Sequence, residues 1–185
     1  MRTPAITQNI TVDGAVEMRG DWFDPRAQAG ADNTDLLDEL HRQQDAADTL
    51  LLGRQTFEAF RSFWPEQVDD ATGISDYLNR VAKYVVSSTL TDPRWQNSTV
   101  LSGDPVDEVR ELKQRAGRGI VVTGSISLCH TLIAAGLVDE YRLFVYPVVQ
   151  ASGRRLFPDG HLSGLPLLEG RVFDSGITYS RYAPA

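Results

Sequence analysis

Three short apolar runs in this chain each stop at a polar turn, and helix-like spacing follows or surrounds them. Ile120-Val121-Val122 ends at Thr123-Gly124-Ser125, and the residues beyond it, Ile126, Cys129, Leu132 and Ile133, share one helical face. Leu50-Leu51-Leu52 ends at Gly53-Arg54-Gln55-Thr56-Phe57-Glu58, and Tyr84-Val85-Val86 ends at Ser87-Ser88-Thr89. Strands alternating with helices give an α/β fold with a mainly parallel sheet, because each parallel return needs a crossover. Ligands of such sheets bind outside the carboxyl ends of the strands, where helix N-termini point unpaired N–H groups and a positive dipole at one spot. Phosphates suit that spot. Each corner alone also reads as an ordinary strand-to-helix turn. Together, the three add one guanidinium, Arg54, and several hydroxyls, which favours a ligand with several phosphates.

At 185 residues and 42% hydrophobic content, the chain supports one well-buried core and is too short for two comfortable domains. A formal net charge of −7 argues against nucleic acid and anionic membranes as partners, since both demand a basic face. The one cysteine, Cys129, excludes an internal disulfide and falls in an apolar helical pattern, so it reads as a packed thiol. No stretch approaches the roughly 20 apolar residues of a membrane span, and no charged-then-apolar leader pattern opens the chain. A cytoplasmic protein is expected.

Along the chain, Ala5 to Val12 reads as a strand followed by the turn Asp13-Gly14. Trp22, Phe23 and Pro25 mark an irregular aromatic loop, either a lid or an anchor. A helix is expected from Thr34 to Ala47, a short one from Thr56 to Phe60, and another from Ile74 to Val81. Ser98 to Leu101 reads as a strand and Pro105 to Arg115 as a helix with proline in its first turn. Asp139 to Val149 is apolar on both faces and should lie inside the sheet. Leu167 to Tyr182, broken at Ser175-Gly176, reads as a terminal antiparallel hairpin. G-x-G-x-x-G after a strand, the Walker lysine and the G-x-S-x-G elbow are all missing. His41, His130 and His161 lack metal-ligand spacing, so no metal is expected.

Asp13-Gly14, Gly53 to Glu58, Ser87-Ser88, Gly124-Ser125, Gly136-Leu137-Val138-Asp139-Glu140, Pro147-Val148-Val149 and Gly153-Arg154-Arg155-Leu156-Phe157-Pro158 carry a resemblance. In that order they resemble the dihydrofolate reductase-like superfamily and, within it, stand-alone relatives of the riboflavin-biosynthesis reductase domain. The match runs from Ile6 to Tyr182. It implies a single domain over residues 1–185, with a three-layer fold, a mainly parallel central sheet and a C-terminal antiparallel hairpin. It also implies NADPH as hydride donor. Arg54 would then fork onto the 2′-phosphate, while Gly53 and Thr56 meet the pyrophosphate from one corner and Gly124, Ser125 and Ile126 meet it from another. Ser87 and Ser88 would bond the adenosine phosphate. The family more often places Gly or His where this chain has Thr123.

The implied reaction is that of a 5-amino-6-(5-phosphoribosylamino)uracil reductase, acting on a small phosphorylated pyrimidine or a related substrate. Asp13 is the candidate for substrate binding or protonation, with a turn-forming Asp-Gly as the alternative; Trp22 and Arg154 are further substrate candidates. A non-catalytic nucleotide sensor and a dihydrofolate reductase proper stay open. The latter would need an acid on the helix before the second strand, where Asp35 and Asp38 stand. The zinc deaminase signatures H-x-E and C-x-x-C are absent, so the chain can supply at most the reductase step. A homodimer is implied by the resemblance alone.

Overall fold

The computed structural model describes residues 1–24 and 33–184; Pro25, expected in the aromatic loop, lies outside them. In chain order the elements are β1 (Pro4–Thr11), α1 (Thr34–Ala46), β2 (Ala47–Gly53), α2 (Arg54–Phe63), α3 (Ile74–Arg80), β3 (Ala82–Val86), β4 (Ser98–Leu101) and α4 (Pro105–Gln114). There follow β5 (Gly119–Val122), α5 (Ile126–Ala134), β6 (Glu140–Tyr146), β7 (Leu167–Val172) and β8 (Thr178–Tyr182). The strands form one eight-stranded sheet in the order β4-β3-β2-β5-β1-β6-β8-β7. β4 through β6 are mutually parallel, and β8 and β7 close the sheet antiparallel. The expected α/β architecture and its terminal hairpin are present.

Side-chain alternation sorts the core into two faces. Leu51, Ile6, Ile120 and Val122 point to the side covered by α4 and α5, where Val109, Leu112, Cys129 and Leu132 meet them. Leu50, Leu52 and Val85 point to the other side, against Phe57, Trp64, Tyr77 and Leu78. Farther along that side, Phe144 and Tyr146 pack with Leu36 of α1 and with Phe173 and Tyr179 of the hairpin. β6 lies between β1 and β8, as its two apolar faces require.

Two boundaries differ from expectation for reasons of proline chemistry. α2 runs through Phe63, past the expected stop at Phe60, and then tightens into a 3-10 turn at Trp64–Glu66. Pro65 has no N–H to give to the helix, so the α-pattern ends just before it. β6 stops at Tyr146 where Val149 was expected, because Pro147 cannot donate to the ladder. Among the described residues no helix is long and apolar enough to cross a membrane.

Candidate functional site

A cavity of about 860 Å³ opens at the carboxyl ends of β1, β2 and β5. Gly53, Arg54, Thr56, Gly124, Ser125, Ile126 and Arg154, all singled out from sequence, line it together. Two helices start at its wall without a side-chain cap: Gly53 precedes α2 and Ser125 precedes α5. At α4 and α3, side chains serve the first turn. Asp104 accepts from the N–H groups of Val106 and Asp107 at α4, and Asp70 accepts from Ser75 N–H at α3. The free N–H groups of α2 and α5 therefore face one shared space, an arrangement suited to anionic oxygens.

The two corners are bonded to each other. Gly53 N–H donates to Ser125 Oγ at 2.8 Å, and Ser125 N–H donates to Thr56 Oγ1 at 2.8 Å. Each hydroxyl thus uses a lone pair on a backbone N–H and keeps its own O–H for an acceptor in the cavity. Gly124 has φ +57°, and a Cβ there would lie 2.7 Å from Thr56 Cγ2, so glycine is required by both conformation and space. Ser125 also adopts the left-handed conformation, with φ 52°.

Gln8, which sequence reasoning missed, clamps this turn from below. Its carboxamide donates to Gly124 O at 2.7 Å and accepts from Gly124 N–H at 3.2 Å. It is 3% exposed. The signal was present: Gln8 interrupts the apolar series Ile6 and Ile10 on the α5 side of β1, and a buried amide in such a place must have partners. Cys129 lies beneath, fully buried, and burial pushes its thiol up to about 12, which makes it a packing group.

Arg54 reaches a second cleft of about 380 Å³, lined also by Arg61, Arg94, Thr89 and Thr91 and by the carboxylates Glu58 and Asp92. The serines expected at this end do not line either space. Ser87 Oγ instead accepts from the N–H groups of Thr89 and Leu90, shaping the turn that presents Thr89 to the cleft, and Ser88 is exposed beside it. Arg54 pairs with Glu58 and Arg94 with Asp92, so the three guanidiniums outnumber the carboxylates of this concavity by one.

Asp13 and Trp22 also stand outside the cavity lining. The Asp13 carboxylate accepts from Thr11 Oγ1 at 2.6 Å, Gln150 N–H at 3.1 Å and Ala151 N–H at 2.8 Å. These bonds, the Thr11 hydroxyl first, hold its pKa down at about 2. It anchors the loop after β6 and is fully ionised near neutrality. Trp22 donates from its indole to Gln150 Oε1 and packs edge-on against Tyr146, so it serves as the loop's anchor. Arg154 does reach the wall, where it pairs with Glu17 at 3.3 Å. Glu17 is the one carboxylate on the cavity wall among the described residues, and the Arg154 N–H, with the guanidiniums of Arg19 and Arg154, lowers its pKa.

The acid expected for a folate reductase is not delivered to the cavity by α1. Asp35 accepts from the N–H groups of Leu36 and Asp174, and Asp38 is exposed. The buried carboxylate of that helix is Glu39, 1% exposed and held by Arg42, Gln43 and Arg171.

The model of the RibD C-terminal domain matches residues 5–179. YyaP of Bacillus subtilis, itself uncharacterized, is 32% identical over 180 residues, covering 94% of this chain and 90% of YyaP. Among solved structures, a provisionally named riboflavin biosynthesis protein from Shewanella sp. PV-4 aligns with a TM-score of 0.73 at 16% identity, covering 99% of each chain. Dihydrofolate reductase from Enterococcus faecalis, solved with NADP(H), aligns at 0.62 and 17% identity over 98% of this chain and 96% of its own. The fold is that of the dihydrofolate reductases, and the chain belongs to the RibD C-terminal domain family.

Proposed function

We propose that the protein is an NADPH-dependent reductase that delivers a hydride to a pyrimidine or a related small molecule. The observation that carries this is the convergence of two uncapped helix N-termini and two half-used hydroxyls on one cavity, continued through Arg54 into a cleft of three arginines. That donor set fits a pyrophosphate flanked by a further phosphate. Gly124, Ser125 and Ile126 would hold one side of the pyrophosphate and Gly53 and Thr56 the other. Arg54, with Arg61 and Arg94 nearby, would take the 2′-phosphate in place of the pairing with Glu58. NADPH, when bound, supplies the hydride. Gln8 keeps the glycine turn in shape, and Glu17 with Arg154 forms part of the cavity wall. Since Glu17 is held ionised, the proton that completes the two-electron reduction is left to water.

A second reading, a nucleotide-binding protein without turnover, is favoured by that same lack of an acid on the described wall. Turnover separates the two. The first test is a calorimetric titration with NADPH and, separately, NADH. Binding that prefers NADPH supports the cleft, and Arg54→Ala should weaken NADPH at least ~10-fold while leaving NADH nearly unchanged, as loss of a charge-assisted pair implies. Absence of binding by either nucleotide overturns the reading.

A further inference from the structure

The end of the cavity away from the phosphate corners is built differently. Phe60 and Phe63 of α2 line it with Trp64, Phe23 and Met18. Phe63 and Trp64 meet edge to face at 5.1 Å and 87°. Such walls bind flat rings by apolar contact and stacking. The cation on the described part of this wall, apart from Arg54 at the cofactor corner, is Arg154. Its guanidinium is already paired with Glu17. A sugar phosphate at this end would have to share that half-exposed guanidinium with Glu17 and otherwise lie against aromatic carbon, which leaves its oxygens few partners on the described wall.

One polar side chain on this wall is differently placed. Asn9 lies on β1 opposite Phe144, on the sheet face of α1 and α2, since its neighbour Gln8 turns to the α5 side. It lines the cavity, and its carboxamide has no hydrogen-bond partner among the described residues. A carboxamide offers one acceptor and a pair of donors side by side. Its natural complement is the N–H and C=O edge of a lactam ring.

The geometry points to a substrate that is a flat, uncharged heteroaromatic ring with a lactam edge read by Asn9, carrying no phosphate. The inference rests on the reductase reading for its cofactor, but it concerns a separate end of the cavity and fails separately. It departs from a phosphoribosylated pyrimidine in the part of the molecule that would require a cation.

The test is calorimetry on the full chain saturated with NADP⁺, using three probes: lumazine, 1,3-dimethyllumazine, and uridine 5′-monophosphate. Lumazine should bind, dimethyllumazine should bind ~10-fold or more weakly because its methyl groups replace the lactam N–H donor and crowd the adjoining carbonyl, and the nucleotide should bind least. Asn9→Leu should erase the difference between the two lumazines, and Phe63→Ala should weaken both. A far-ultraviolet melt of each variant with NADP⁺ present shows whether the fold and the cofactor end are intact. Failure of NADP⁺ to bind at all would strike the reductase reading. NADP⁺ binding with no affinity for lumazine would overturn the present inference. So would uridine monophosphate binding as tightly as lumazine and losing that affinity in Arg154→Ala.

Discussion

Single residues of this site do work that composition hides. Gly124 combines a left-handed φ with no room for a Cβ, so Gly124→Ala should cost about 1–3 kcal/mol of stability and weaken NADPH as well, checked by thermal melts and titration of one preparation. Asp13 carries a different prediction. Its carboxylate is held at about 2 in the folded chain against an ordinary 3.8, so the unfolded chain binds the extra proton. Its stabilising effect is complete above pH 4 and is lost as the pH falls towards 2. Asp13→Asn should therefore melt below the parent at pH 7, with the gap closing near pH 2, and an equal gap at both would remove the anchoring role. Lys83 runs the other way. It is fully buried, bonded to Leu78 O and Val81 O and placed 4.5 Å over the Trp95 ring, and burial lowers it to about 8. Between pH 8 and 10.5 the unfolded chain holds more protons, so stability should rise with pH through that window, and Lys83→Met should flatten the rise.

At the scale of elements, strands and helices were legible because their periods differ and their ends carry punctuation. β4 was expected at Ser98–Leu101 and lies there, and α4 starts at its proline. The misplaced ends, at α2 and β6, both fall at a proline: α2 runs beyond its expected stop until Pro65 halts it, and β6 ends short of its expected stop at Pro147. The glycine-serine corners were readable as phosphate-binding candidates since the chemistry is local. Gln8, Asn9 and the burial of Glu39 were not, because they depend on which distant element meets them, as Gln8 meets Gly124 116 positions away and Glu39 meets Arg171 of β7. Ser87 illustrates the converse: a hydroxyl at a strand end served its own turn. Gln8→Leu tests the clamp beneath α5. It strands the N–H and C=O of Gly124, so stability should fall by about 1–3 kcal/mol and NADPH affinity should fall with it, while Gln8→Glu, which keeps one acceptor, should lose less.

For the molecule as a whole, the sheet ends on one side in the hairpin strand β7, where Leu167, Leu168 and Val172 are exposed. Glu169 and Arg171 of that strand pair with Arg42 and Glu39 of α1, while Leu167, Leu168 and Val172 leave an exposed apolar edge, which fits the pairing of two copies implied by the family resemblance. Sedimentation should give twice the 20.5 kDa chain mass, with Val172→Lys shifting the species towards one copy. The bonds between Gly53, Ser125 and Thr56 have a consequence of another kind. They lock the two corners, at Gly53 and at Gly124-Ser125, together before any ligand arrives, so little loop ordering remains to be paid at docking. Nucleotide capture should then be fast and show a single kinetic phase, and the amide protons of Gly53 and Ser125 should exchange slowly even in the empty protein.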